Sequence, residues 1–485
     1  MAKEDAVPGA LAARILETCR ACPDRTALDD GTEAFTYADL RAGAETLAGE
    51  LQAAGLEPHE PVAVATSNRA RDMTACLGVW LAGGVATPIH RNAVETSAAQ
   101  TLNKICARIV VNANPELAAP ACLQVASAVQ PLGRDPPHPR PLLDGAGLIL
   151  FSSGTTGEPK AMVVGHRRFS AKLDQINGEI DFEDGTRSLL PLQLNFAFAQ
   201  WVAQITLRRG GTVHLRQRFD AAGLLSDLAD GGIDRAPFVP TMLRAMLEEL
   251  GGARHGWAGH MMSGGEVLPA ALALRLRRAW PDMRLWDVYG MTECGTGDFY
   301  VRPDDYDAAA GSIGRPGKGI DYRFAADGEL ALRSPYHMLG YLDAPELTAA
   351  SYDREGYFLT GDLARERSDG FVELIGRAKE MIVRGGHKIS PLEVERLYLD
   401  HPDVGNALAT GVDDERLGEA IHVLVVPLPG TAPAAGELRA WAQGRIDGYK
   451  RPDAVHIGDA LPTGRTGKAD RRALRELIAR GGLST

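Results

Sequence analysis

The stretch Leu148-Ile-Leu-Phe-Ser-Ser-Gly-Thr-Thr-Gly-Glu-Pro-Lys160 runs from an apolar segment of strand type into a loop of small hydroxyl and glycine residues and ends on a lysine. Gly154 and Gly157 let backbone N–H groups turn toward an oxyanion, while Ser152, Ser153, Thr155 and Thr156 add hydroxyl donors and Lys160 a mobile positive charge. This composition predicts a phosphate loop between two strands, with a triphosphate as its guest. The Gly-x-x-x-x-Gly-Lys-[Ser/Thr] spacing of a Walker A loop is absent, and no helix opens directly behind the loop. Taken alone, the loop could also be a Gly/Thr-rich hairpin tip.

Further along, Leu285-Trp-Asp-Val-Tyr-Gly-Met-Thr-Glu293 places an aromatic and a glycine, Tyr289 and Gly290, ahead of a hydroxyl and a carboxylate, Thr292 and Glu293. An aromatic followed by glycine can lie flat on a purine, and the pair behind it can serve phosphate and Mg²⁺. In Gly356-Tyr-Phe-Leu-Thr-Gly-Asp362, Asp362 at a strand end can accept both ribose hydroxyls. Near the end of the chain, Leu461-Pro-Thr-Gly-Arg-Thr-Gly-Lys468 puts Lys468 behind a Gly-x-x-Gly loop that can carry it into a site.

These residues need elements that hold them at strand ends. Strands around residues 27–28, 34–37, 61–65, 86–89, 188–192 and 211–215 alternate with amphipathic helices over residues 10–22, 38–54, 70–82 and 220–228. That alternation predicts an α/β fold with parallel β-α-β units in doubly wound sheets. Residues 195–200 read as a helix start, 241–250 and 269–280 as helices, and the Pro- and Ala-rich residues 115–145 as a surface connection. Ligands on open α/β sheets lie beyond the carboxyl ends of strands, so the strand end before Gly264-Gly265-Glu266 is expected to share a crevice with the phosphate loop. A smaller β region follows residue 311, and after the turn Gly376-Arg-Ala-Lys-Glu380 the pattern becomes a compact α+β module.

A chain of 485 residues is too long for one core. The net charge of −11 argues against a nucleic-acid partner, and no apolar run reaches the length of a membrane span. The start, Met-Ala-Lys-Glu-Asp, is not a signal peptide, so a cytoplasmic enzyme, monomeric or homodimeric, is expected. Six cysteines make no disulfide framework, Cys19-x-x-Cys22 has no second pair, and no His-Glu-x-x-His spacing supports a protein-bound catalytic metal.

Together these motifs resemble the adenylate-forming superfamily of acyl- and aryl-CoA synthetases, peptide-synthetase adenylation domains and firefly luciferase. The similarity covers nearly the whole chain, from Phe35 to Lys468, in the family's order. The resemblance implies a large N-terminal domain (1–376), a hinge (377–380) at Lys379 and a small mobile C-terminal domain (381–485). It implies that residues 153–160 wrap the ATP phosphates, that Gly264, Gly265, Glu266, Asp287 and Tyr289 hold adenine, and that Thr292 contacts the α-phosphate. It further assigns Glu293 to Mg²⁺, Asp362 and Arg377 to the ribose, and Lys468 to the bridge between substrate carboxylate and α-phosphate. The implied reaction is ATP-dependent activation of a carboxylic acid, then transfer to a pantetheine thiol of CoA or of a separate carrier protein.

For the acid, the pocket residues implied are Asn195, Phe196, Gln200 and Gly290. The segment Gln193-Leu-Asn-Phe-Ala-Phe-Ala-Gln200 holds no acidic residue for an α-amino group. It is similar to the Pro-x-x-His-Asn pattern of aryl-acid ligases, with the Asn at Asn195 and Leu194 in place of the His. Asn195 serves equally well as a helix N-cap, and Phe196 and Phe198 as core residues. An aryl or small hydrophobic acid is the substrate class read from this segment, with a medium-chain fatty acid as the alternative. A silent AMP-binding homologue is disfavoured by the retention of Lys160, Glu293, Asp362, Arg377 and Lys468.

Overall fold

The computed structural model describes residues 9–124, 128–133, 140–152, 160–463 and 469–483. Among these residues the strands form four sheets. In the nine-stranded sheet, Thr26–Asp29, Thr212–Leu215, Arg187–Leu190, Arg235–Phe238, His260–Gly264 and Arg284–Tyr289 pair in parallel. In the seven-stranded sheet the parallel core is Ile109–Asn112, Pro61–Thr66, Val85–His90 and Ala146–Ser152. Pro61–Thr66 is buried along its whole length, as a central parallel strand covered by helices on both faces must be. Two large sheets of this kind, each joined through helical crossovers, are the doubly wound arrangement that the strand and helix alternation implies.

Local signals set the helix boundaries. Thr36 and Asp39 form a capping box that starts the helix Tyr37–Ala53, and Ser390 with Pro391 starts Pro391–Leu399. The strands Ala146–Ser152 and Lys160–Gly165, which flank the expected phosphate loop, are antiparallel neighbours, with Ser152 opposite Lys160. The connection between them, which includes Ser153, Gly154, Thr155, Thr156 and Gly157, lies outside the described residues, as does Lys468.

A four-stranded antiparallel sheet (Asp321–Phe324, Glu329–Arg333, Phe358–Glu366, Val372–Arg377) follows the two large sheets. It ends in the single turn Ala378–Glu380, and the chain then enters a five-stranded sheet with its own buried core around Ile382, Val394, Tyr398, Val423 and Val455.

The structure corrects two expectations. Residues 115–145 are more than a connection: Val129–Pro131 adds an antiparallel edge strand to Ile109–Asn112. The helix expected from Asn195 begins instead at Ala197, with Phe196 as its N-cap and no side-chain capping bond. Asn195 is therefore not the cap.

Candidate active site

Strand ends from the nine-stranded and four-stranded sheets and residues of the C-terminal module meet around a cleft of about 1250 Å³. Its lining includes Gly265, Glu266, Asp287, Tyr289, Gly290, Asp362, Arg377 and Lys379, which brings eight of the expected site residues to one space.

Asp362 is the best-fixed of these. It sits on Phe358–Glu366 and is 4% exposed, with one carboxylate oxygen accepting from Tyr289 Oη at 2.7 Å and the other from Arg377 Nε at 2.8 Å. Burial and the Asp362 charge raise the Tyr289 phenol well above its usual value, so it remains a donor. The Asp362 charge likewise raises the Arg377 guanidinium. Each carboxylate oxygen keeps a further acceptor site, which leaves Asp362 able to take two hydroxyls. The Tyr289 bond also fixes the plane of the ring expected to meet the purine.

On the neighbouring strands, Gly264 ends His260–Gly264, and a Cβ there would lie 2.9 Å from the Phe198 ring and 3.0 Å from the Val288 carbonyl oxygen. Gly265 follows with φ +83°, a conformation that side chains disfavour. Glu266 accepts from Thr241 Oγ1 at 3.1 Å through one oxygen, while its other oxygen is buried without a partner. Burial pushes the Asp287 carboxyl well above the usual carboxylate range, which suits a hydrogen-bonding role toward a neutral ring. At Gly290 a Cβ would stand 2.3 Å from Gly297 N, so only glycine lets the segment from Met291 fold back over the strand end.

Thr292–Cys294 forms the next turn. Glu293 Oε1 accepts from Tyr341 Oη at 3.1 Å, and Lys160 Nζ lies 5.2 Å from the centre of the Tyr341 ring. Tyr341 thus joins Lys160, the lysine of the expected phosphate loop, to the expected Mg²⁺ ligand. The second Glu293 oxygen has no hydrogen bond among the described residues, so the group fits a metal-binding role.

Among the residues expected to meet the acid, Asn195 Oδ1 is buried without a partner. Phe198 stacks on Trp201 with ring centres 5.1 Å apart and joins the edge of the core, whereas Phe196 holds the helix N-cap position. Gln200 is fully buried, donating to the Leu194 carbonyl at 2.5 Å and accepting from Gln204 at 3.2 Å, so it braces the segment that carries Asn195. Lys379 is exposed in the turn Ala378–Glu380, and the adjacent Glu380 pairs with Arg471 at 2.9 Å. Arg471 also binds Glu395, tying the turn to the helix that follows Lys468.

Sequence reasoning missed three residues. Asn68, in a left-handed conformation (φ +58°), donates to the Leu192 and Arg216 carbonyls and accepts from Leu194 N, pinning the segment before Asn195. An Asn directly behind a buried strand is the sequence signal that could have found it. Tyr341 had no local signal. Neither did Lys172, which is wholly buried and pairs with Asp298 at 2.9 Å behind the Gly290 segment.

This arrangement can hold a nucleotide at the ends of parallel strands, and comparison with known proteins agrees. The model of the AMP-binding enzyme family matches residues 15–342, and that of the AMP-binding enzyme C-terminal domain matches residues 393–468. The chain belongs to this adenylate-forming family. Among its relatives, a feruloyl-CoA synthase from Amycolatopsis sp is 32% identical over 477 residues, spanning 93% of this chain and 95% of the relative. An indoleacetate–CoA ligase from Aromatoleum aromaticum is 32% identical over 354 residues, covering 69% and 67% of the two chains. The ATP-bound structure of MatB from Rhodopseudomonas palustris superposes with a TM-score of 0.85 at 22% identity, covering 97% of this chain and 99% of that one. The adenylate-forming fold therefore spans both parts of the molecule. Among the described residues no helix is long and apolar enough to cross a membrane.

Proposed function

We propose that the protein activates a carboxylic acid with ATP and transfers the acyl group to the thiol of CoA. The observation that carries this reading is the gathering of Gly265, Glu266, Asp287, Tyr289, Asp362 and Arg377 on one cleft, with both Asp362 oxygens already oriented. The names of the feruloyl and indoleacetate relatives support the thiol acceptor and an aromatic acid.

In the first step a carboxylate oxygen attacks the α-phosphorus of ATP in line, the bond to pyrophosphate breaks, and an acyl-adenylate forms. Catalysis of such a step rests on positioning and charge neutralisation. Asp362 and Arg377 orient the ribose, Tyr289 and Asp287 hold the base, and Lys160 meets the outgoing phosphates. Glu293, held by Tyr341, would carry the Mg²⁺, which shields phosphate charge when bound. Lys468, on its glycine-rich loop, would bridge the substrate carboxylate and the α-phosphate. In the second step the thiol sulfur attacks the acyl carbon and gives up its proton to solvent, the bond from that carbon to the phosphate oxygen breaks, and AMP leaves. Turning residues 381–485 about residues 377–380 would exchange the two sets of residues at one cleft, with Lys379 at the pivot.

For the acid, the unpartnered Asn195 Oδ1 supports a donor group on the substrate, such as an ortho hydroxyl or amino group on an aryl ring. Losing one buried partner costs roughly 1 to 3 kcal/mol. Steady-state rates across a panel of acids test this. Ortho-substituted benzoates should exceed benzoate by about ten-fold, and Asn195→Ala should narrow the gap by slowing the substituted acid. An enzyme that favours octanoate over every benzoate would overturn the aryl reading.

A further inference from the structure

The segment between the strands Arg284–Tyr289 and Phe299–Val301 carries both Thr292 and Glu293. It closes at its base, where Asp298 N donates to the Tyr289 carbonyl and Thr296 N to the Met291 carbonyl, each at 2.7 Å. Thr296 holds a left-handed conformation (φ +62°) between two glycines that do the same. Backbone of that kind persists only where its surroundings fix it. Here the fixing group is Lys172. From the helix His166–Ile180 its Nζ donates to the Gly297 carbonyl at 2.8 Å and to Asp298 Oδ1 at 2.9 Å, with the Tyr336 ring centred 5.2 Å away. Both side chains are sealed, Lys172 at 0% and Asp298 at 1% exposure. Burial raises the Asp298 carboxyl, and the Lys172 charge opposes that rise.

One turn earlier on the same helix, Arg168 Nη1 donates to the His337 carbonyl at 3.2 Å and to the Met338 carbonyl at 3.1 Å, and Met338 N in turn donates to the Glu293 carbonyl at 2.8 Å. Residues four apart lie on one face of a helix, so a single face holds the two segments that enclose Glu293. The helix also begins at the residue after the strand Lys160–Gly165. A rigid element therefore runs from Lys160 to the loop of Thr292 and Glu293. A buried ammonium that grips a carbonyl and a carboxylate on adjacent residues fixes that loop more firmly than apolar packing would, because charge-assisted bonds are short and strong. We propose that Lys172 is a positioning residue of the adenylating step: through Gly297 and Asp298 it holds Thr292 and Glu293 in register with Lys160. The assignment rests on the carboxylate-activating function proposed above, in which these three groups meet the phosphates and Mg²⁺. Loss of the Lys172 charge then acts on the phosphate and metal contacts and spares the base and ribose contacts around Asp362.

The test compares wild type with Lys172→Met and with the double variant Lys172→Met/Asp298→Asn, which removes the orphaned carboxylate charge but leaves the Gly297 carbonyl without its ammonium. Thermal melts should show the double variant regaining part of the stability that the single variant loses. Activity should not follow. The kcat of acid-dependent pyrophosphate exchange is expected to fall about ten-fold or more in both variants, since a misplacement of about 1 Å costs up to about 10²-fold. Calorimetric titration reads the loop without turnover. AMP, held at Asp362, Arg377 and Tyr289, should bind both variants as it binds wild type, whereas α,β-methylene-ATP should lose most of the affinity that added Mg²⁺ gives it in wild type. Exchange that recovers in step with melting temperature in the double variant would make Lys172 a stabilising residue only and overturn the proposal. So would equal losses for AMP and the ATP analogue, or a gain from Mg²⁺ that is absent in wild type or undiminished in the variants. Should wild type exchange pyrophosphate with no acid, the carboxylate-activating function fails, and the two titrations still decide whether Lys172 sets the loop.

Discussion

Tyr289 and Lys172 show two ways a single polar group is made to matter. The Tyr289 hydroxyl is one of two donors on Asp362, so Tyr289→Phe keeps the ring and the Arg377 contact but frees the carboxylate to turn. Losing that bond costs about 1 kcal/mol, and the KM for ATP should rise several-fold with little change in melting temperature. Steady-state kinetics beside a thermal melt checks both halves. Lys172 is the opposite case. With Lys172→Met, Asp298 keeps its burial and loses its charge partner, which costs on the order of 3–5 kcal/mol. Chemical denaturation should show that loss, and replacing Asp298 as well should recover part of it. An equal loss in the double variant would mean that the pair itself, and not the orphaned carboxylate, carries the stability. Nothing in the local pattern around Lys172 separates it from a solvated lysine, because Asp298 lies 126 residues away. Asp362 and Glu293 were legible because each stands in a short motif whose glycines and strand boundaries declare its position.

Among the elements, the turn Ala378–Glu380 links the four-stranded sheet to the five-stranded one, and its two flanks are tied to different neighbours. Arg377 binds Asp362, while Glu380 binds Arg471. A pivot between these anchors must change its backbone angles, and proline fixes φ near −65°. Lys379→Pro should therefore retain one half-reaction, pyrophosphate exchange, and lose thioester formation from supplied acyl-adenylate. Equal activity in both would place the pivot elsewhere. The strand-to-glycine elements were readable in the chain because apolar runs end abruptly at residues that permit close approach, as at Gly264 and Gly290. The edge strand Val129–Pro131 was not. It is three residues long, ends in proline, and exists through its pairing with Ile109–Asn112 rather than through any propensity of its own. The helix starts at Ala197 rather than Asn195 for a related reason: Asn195 has the composition of a cap, but Asn68 pins the backbone just ahead of it.

At the scale of the whole molecule, burial of imidazoles sets a pH limit. His90, His166, His260 and His337 are each brought down to about 4, in every case chiefly by desolvation. Their unfolded values lie near 6.5, so the unfolded chain binds more protons between those limits. Stability supplied by these neutral rings is complete above about pH 6.5 and is lost as pH falls toward 4. Melting temperatures taken from pH 7 to pH 4.5 should decline through this window. His166→Leu, at a ring packed edge-on to Trp80, should flatten part of that decline, and an unchanged slope would remove His166 from the account.

The reaction proposed for this cleft joins a carboxylate to AMP. Acid-dependent exchange of labelled pyrophosphate into ATP measures that step without the thiol acceptor. Wild type should exchange with aryl acids and release AMP when CoA is added. Lys468→Ala should lower exchange by about 10² to 10³ while still converting supplied acyl-adenylate to thioester. Absence of exchange with every carboxylic acid, or ADP as the nucleotide product, would contradict the account.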